Sequence, residues 1–333
     1  MTRRLVLRIV CTLWLTVTMG AAYPEDLGAI GDSISTAMDA DDGCDGAVEC
    51  LGNLGEDWAW SFATGSQPWS IASRLLPFSF SASQTAAVNG ASWEDALPQA
   101  QQLMALPGIS LVTIELGGND VCQSLGRSPP SLDWVEGRID DTLTYLTDKL
   151  PSGGYVVLAE VPDVLWLREH MAAEPHFLFQ SCQALWDLDY QALNEATVAA
   201  VCADLYGDWL CSSVPEFHTF TREWIAKLMA GLFEGIGGDE FPCANVLNSA
   251  STDAARAAAG DFNLALNTLL AEKADEYEGR NGVRVRFAPG IYDQPFSSED
   301  VSGLDCFHPS RSGQAILADL VWRTIEDTLT EPR

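Results

Sequence analysis

Leu111–Asp120 reads LVTIELGGND. Leu111 to Leu116 is an apolar, partly β-branched run that stops at two glycines, the pattern of a short strand buried on both faces. The same punctuation returns along the chain. Leu27–Ile30 is a second short apolar run, and it ends in Gly31-Asp32-Ser33. Ser79–Val88 is small and β-compatible, Tyr155–Ala159 is a further strand and Val283–Phe287 a last one. Helix patterns lie between them. Glu94–Leu106 carries Leu97, Leu103 and Leu106 at helical spacing, and Leu132–Leu150 sets Trp134, Ile139, Leu143, Leu146 and Leu150 on one side. Ala254–Glu278 and Gln314–Leu329 are two more, and Ile34 onwards reads as the start of another. Strands that alternate with helices predict one α/β domain, a central parallel sheet covered on both faces.

Composition narrows the function classes. The 333 residues include 18 Lys and Arg against 47 Asp and Glu, a formal net charge of −29, with a pI near 4.2. Hydrophobic residues make up 47% of the chain, enough for a sizeable core, which excludes global disorder. Phosphate contacts need clustered Lys and Arg, so a nucleic-acid partner is excluded. So is electrostatic docking on an anionic lipid surface.

The first residues have the order of a signal peptide: Arg3, Arg4 and Arg8, an apolar run from Ile9 to Met19, then Gly20-Ala21-Ala22. Residues 1–22 are read as that leader and 23–333 as the mature chain. The run is too short for a stable membrane span, and no later stretch is long and apolar enough. The expected location is therefore extracellular or periplasmic. Cys11 falls in the leader, which leaves eight cysteines: Cys44, Cys50, Cys122, Cys182, Cys202, Cys211, Cys243 and Cys306. An even number in an exported chain reads as disulfides, with the pairing open. Residues 163–250 are less regular and aromatic-rich, and are read as an insertion over the core. Nothing in the chain sets an oligomeric state.

The candidate chemistry sits at the predicted strand ends, where open parallel sheets bind ligands. Ser33 stands at such an end, with its backbone N–H available to an oxyanion. Outside the leader the histidines are His170, His176, His218 and His308. Among these, His308 has an acid three residues before it, Asp305, and one turn can hold that carboxylate against the imidazole. A carboxylate on one ring nitrogen fixes the tautomer and leaves the other free to take a serine proton. Asn119, after Gly117-Gly118, offers an amide donor, and Gly90 a backbone N–H. Asp32 and Asp120 are read as acids that bond loop backbone. His170, Glu174 and His176 lack the spacing of a zinc helix, and Pro175 breaks that segment. The acidic run Asp39–Asp45 lacks EF-hand spacing. No metal and no cofactor is expected.

Taken in order, Gly31-Asp32-Ser33 near the start, Gly90 after a second strand, Gly117-Gly118-Asn119-Asp120 after a third and Asp305-Cys306-Phe307-His308 near the end resemble the SGNH, or GDSL, family of serine esterases and lipases. The stretches IELGGNDVC, LDCFHPS and AVNGASWEDALPQAQQL are similar to its phospholipase-B-like branch. The resemblance covers 163–250 poorly. It departs at Ile34, where the family commonly has leucine, and at Thr85, where it has asparagine. It implies a flavodoxin-like three-layer α/β/α sandwich. It further implies a catalytic Ser33–His308–Asp305 triad, and an oxyanion hole from Ser33, Gly90 and Asn119. The activity implied is hydrolysis of a carboxylic ester, a small molecule or a lipid or phospholipid acyl ester. Alternatives on the same fold are an acyltransferase, a carbohydrate deacetylase, or a non-catalytic ligand-binding member.

Overall fold

The computed structural model describes residues 25–43, 53, 55–176, 180–187 and 243–330. The leader, Cys44, Cys50, Cys202, Cys211, His218 and all of the aromatics between 188 and 242 lie outside the described residues.

Ile109–Glu115 forms strand β3, and every one of its residues is buried. Its neighbours are β1 (Glu25–Gly31) on one side and β4 (Tyr155–Ala159) on the other, with Ile114 level with Ile30 and Leu158. β2 (Phe80–Thr85) lies outside β1, and β5 (Arg284–Ala288) outside β4. The described strands thus form a five-stranded sheet of order β2-β1-β3-β4-β5 in which every pairing is parallel. Period-2 alternation divides the sheet between two cores. Tyr155, Val157 and Ala159 enter one, and Val156 and Leu158 the other.

The helices follow from chain direction. Helix α1 (Ile71–Leu75), on the way from β1 outward to β2, lies on one face, as does the last helix, α9 (Arg311–Thr330). The chain then travels the other way across the sheet. Its connecting helices α2 (Trp93–Met104), α4 (Leu132–Lys149) and α8 (Asp253–Tyr277) cover the opposite face. A constant crossover hand requires this switch of face when the direction reverses. The result is a three-layer α/β/α sandwich of flavodoxin-like strand order. Side-chain caps start the long helices: Ser92 with Asp95 in a capping box, Ser131 and Thr252. Each fully buried aliphatic side chain contributes about 1.5–3 kcal/mol, so the β3 run Leu111–Leu116 alone anchors both cores.

Between β3 and α4 lies the short helix α3 (Gly118–Val121). The described parts of 163–250 pack into the main core. Helices α5 (Val164–Met171), α6 (Cys182–Trp186) and α7 (Ala244–Leu247) bury Leu185, Trp186, Val246 and Leu247 against it. Disulfides Cys122–Cys243 and Cys182–Cys306 tie these pieces to the ends of the sandwich. Among the described residues, no helix is long and apolar enough to cross a membrane.

Candidate active site

The strand order reverses between β1 and β3, so the crevice beyond their carboxyl ends is the topological switch point of the sheet. The segments that leave those two strands are Gly31–Ser35 and Leu116–Asp120. Gly31 has no room for a side chain: a Cβ would lie 2.0 Å from Ser35 Oγ and 2.9 Å from the Glu115 carbonyl. Its backbone is clamped on both edges by Gln99 of α2, which accepts from Gly31 N at 2.9 Å and donates to Gly31 O at 3.0 Å. Ser33 follows, 5% exposed.

The expected helix after Ser33 is not formed. Thr36 N reaches Asp32 O at 3.1 Å for one turn. Met38 N then bonds back to Ser33 O, and Ala37 and Asp39 take left-handed φ of 56° and 53°. Competing partners break the helix. Ser61 Oγ donates to Ser35 O, Gln314 Nε2 to Ile34 O, and Thr36 Oγ1 to Ser33 O, so the carbonyls a helix needs are held elsewhere. Ser33 therefore sits on a pinned turn rather than at a long helix dipole.

At the end of β3, Gly117 turns with φ 123° and brings Asn119 to the crevice. Its amide donates to Ala91 O at 2.9 Å and to Asp32 Oδ2 at 3.2 Å. Gly90 lies in the turn beside Ala91, also with positive φ, and is not one of the residues that line the cavity described below. Asp32 and Asp120 do bond loop backbone, to Ile34 N and Trp93 N respectively. Both are also perturbed acids. Burial pushes Asp32 up to about 6 and Asp120 up to about 7. Glu115, buried under Ser35 and sharing a hydrogen bond with Asp32, is pushed well above the ordinary carboxylate range by burial and by the Asp32 charge.

Asp305 and His308 lie on one turn ahead of α9, 3% and 2% exposed. Asp305 Oδ1 accepts from the backbone N–H of Phe307 and of His308, and Asp305 Oδ2 bonds His308 Nδ1. Burial alone would raise this acid, but the His308 charge and these bonds outweigh it and hold Asp305 below the usual carboxylate range. Burial likewise favours neutral His308, yet the Asp305 charge and its hydrogen bond raise the His308 pKa above the ordinary 6.5. Its Nε2 is buried without a hydrogen-bond partner. Cys306, inside the turn, is fixed to α6 by the Cys182 disulfide, and the buried ring of His176 bonds the Leu304 carbonyl.

Ser33, Asn119 and His308 open onto one cavity of about 70 Å³. Its walls are largely apolar: Val164, Trp166, Leu167, Phe296, Val301 and Phe307. Trp166 meets Phe296 edge to face at 6.3 Å. Asp32, Asp163 and Asp300 supply the acidic lining, and no Lys or Arg is among the described lining residues. The structure thus brings Ser33, Asn119 and His308 to one cavity, with Asp305 behind His308. The donor–acceptor pattern suits nucleophilic attack on a carbonyl, with a base in reach of the crevice and an amide at its wall. His170 instead bonds the Trp166 carbonyl and stacks on that ring at 4.5 Å.

Sequence reading missed Gln99, Gln314, Glu115 and Asp39. Gln99 does carry a signal, since it is a polar residue on the apolar face shared by Ala96, Ala100 and Leu103.

The chain is similar to several known proteins. A curated relative, the acyloxyacyl hydrolase of Homo sapiens, is 24% identical over 221 residues, 65% of this chain and 32% of its own length. The chain therefore spans about a third of that relative. A lipase/acylhydrolase structure from Enterococcus faecalis has 13% identity and a TM-score of 0.37 over 93% of this chain and 99% of its own. An acetyl xylan esterase structure from Geobacillus stearothermophilus has 14% identity and a TM-score of 0.35 over 93% and 97%. Residues 27–201, from β1 through the β4 strand end and beyond, match the family described as GDSL-like Lipase/Acylhydrolase, and with that match over more than half its length the chain belongs to this family.

Proposed function

We propose that this chain is an exported serine hydrolase that cleaves acyl esters of neutral or zwitterionic lipids, phospholipids included. The observation that carries the reading is the convergence of Ser33, Asn119 and His308 on one apolar cavity, with Asp305 bonded behind His308. Ser33 Oγ attacks the ester carbonyl while His308 Nε2 takes its proton, and Asp305 holds the imidazole in the required tautomer. The oxyanion is met by the N–H of Ser33 and of Gly90 and by the Asn119 amide. The Asn119 hydrogen on Asp32, at 3.2 Å the longer of its two bonds, is the one that turns to the oxyanion. His308 then protonates the leaving alcohol, and water releases the acyl group from Ser33 by the same route.

The cavity supports the substrate class. Its aromatic and aliphatic wall suits hydrocarbon. Its acidic lining disfavours an anionic headgroup, which accords with the net charge of −29. The curated relative's name, acyloxyacyl hydrolase, supports an acyl ester. The disulfides and the basic–apolar start at Arg3–Ala22 support export.

The test is covalent labelling of Ser33 by a fluorophosphonate, followed by product analysis on esters graded in chain length and headgroup. Labelling lost in Ser33→Ala and turnover rising with acyl length are expected. Undiminished turnover in Ser33→Ala removes the nucleophile, and hydrolysis of short esters alone removes the lipid preference.

A further inference from the structure

Behind Asp305 lies a second buried carboxyl. Asp39 is 0% exposed, and its ligand atoms, with those of Asp305 and His308, all lie within 4.8 Å of one another. It is rigidly placed. Its backbone is left-handed, its N–H bonds the Gly55 carbonyl, and its own carbonyl accepts from Ser302 Oγ at 2.6 Å, on the loop that carries Asp305. Asp39 Oδ1 accepts from Gly55 N at 2.7 Å, whereas Oδ2 is buried with no donor against it.

Two ionised carboxylates this close share one imidazole poorly, and one of them must keep a proton. The donors decide which. Asp305 receives two backbone N–H groups and the His308 ring, and Asp39 receives one backbone N–H. We propose that Asp39 is a positioning acid: it stays protonated and donates its O–H to the Asp305 carboxylate. This steadies the carboxylate and limits how strongly Asp305 raises the basicity of His308. The inference rests on the Ser33–His308–Asp305 reading. Burial and the Asp305 charge both push Asp39 upward, in the direction required. The other titratable groups facing this pair are Asp32 at the β1 end, Asp42 after Asp39, and His176 ahead of α6. Arg311 is already paired with Asp41.

The experiment compares the pH dependence of kcat/KM for wild type, Asp39→Asn and Asp39→Gly. Both replacements tolerate a left-handed backbone. Asn keeps a donor toward Asp305, so its acid limb stays within about a third of a pH unit of wild type while kcat falls by up to about tenfold. Gly removes the donor, leaves Asp305 more basic and moves the limb upward by about half to one unit. In infrared spectra at neutral pH, wild type minus Asp39→Asn retains a protonated-carboxyl band. A Gly limb that does not move, an Asn limb that drops, or a missing band overturns the proposal. So does a wild-type limb moved by EDTA when that of Asp39→Asn is not, since the three groups would then be gathered for a cation. Ser33→Ala, run alongside, separates the two readings. Undiminished turnover there sinks the triad, whereas its loss beside an unmoved Gly limb sinks the role of Asp39 alone.

Discussion

Replacing Asp120 by Asn should reshape how stability depends on pH. Asp120 is 2% exposed, in the turn after β3, and its Oδ2 accepts from Trp93 N at 3.0 Å. Burial, aided by Asp32, Asp95 and Glu94, raises it from 3.8 to about 7. The unfolded chain releases this proton near pH 4, and the folded chain holds it to near neutrality. Between the two, the native state binds the extra proton, so stability falls as pH rises. A shift of roughly three units is worth about 4 kcal/mol, complete above the folded pKa, and about 3 kcal/mol of it falls between about pH 5 and about pH 8.5.

Asn copies the shape of the neutral acid and still accepts from Trp93 N, but it cannot ionise. The measurement is urea unfolding of wild type and Asp120→Asn, disulfides intact, across that pH range. The variant's advantage should widen by about 3 kcal/mol from the acidic to the alkaline end, whatever its absolute value. Subtracting the two curves cancels Glu115 and Asp39, which are not among the groups that shift Asp120. Parallel curves would show that Asp120 titrates alike in both states, and would refute the account of this turn as a buried neutral acid.

Other outcomes follow from the same geometry. Asn119→Ala should lower kcat by about 10²–10³ with KM little changed, because the amide acts on the oxyanion; a loss confined to KM would make it a binding group. With His308 raised above 6.5, its neutral, base-competent form gains with rising pH, so kcat/KM should climb through a midpoint above that value. A flat profile from about pH 5 to about pH 8 would contradict this. The double replacement Cys182→Ser, Cys306→Ser should lower stability by about 3–5 kcal/mol in thermal or urea unfolding, since the link closes a span of 124 residues. It should also reduce kcat at temperatures where the protein is folded, because Cys306 lies between Asp305 and His308. Unchanged kcat there would free the turn from the disulfide.

The strands were legible because a parallel sheet buries both faces. Tyr155–Ala159 is apolar throughout and Leu111–Leu116 is broken only by Thr113 and Glu115, while Gly31 at the end of β1 and Gly117 just past β3 mark where the backbone leaves the sheet. The turn that holds His308 to Asp305 was legible for a local reason, since three residues span one turn. What failed was Ile34 onwards. Its expected helix depends on carbonyls that Ser61, Thr36 and Gln314 take, and two of those residues lie far away in sequence. Asp39 was hidden in an acidic run, where sequence gives no way to tell a solvated acid from one folded under the His308 loop.

Asp32, Asp39, Glu115, Asp120 and Asp305 are all buried at the carboxyl end of the sheet, but only Asp305 is held below the usual carboxylate range. Burial acts on all five in the same direction, so the difference lies in what offsets it, first the His308 charge beside Asp305 and then the hydrogen bonds it accepts. Asp305 receives the His308 ring and two backbone N–H groups. Asp39 and Asp120 each receive one backbone N–H, and Glu115 one hydroxyl. The formal charge of −29 counts every acid as ionised and so describes the exposed surface better than the crevice. On the proposed mechanism, negative charge sits on the Asp305 carboxylate beside the imidazole, and the raised pKa of its neighbours limits the charge that would oppose an oxyanion at Asn119. Their protons are lost as pH rises past about 6 at Asp32 and about 7 at Asp120, while His308 is becoming neutral. The gain in base is therefore set against a growing negative field at the oxyanion position, and activity has to pass through a maximum rather than level off.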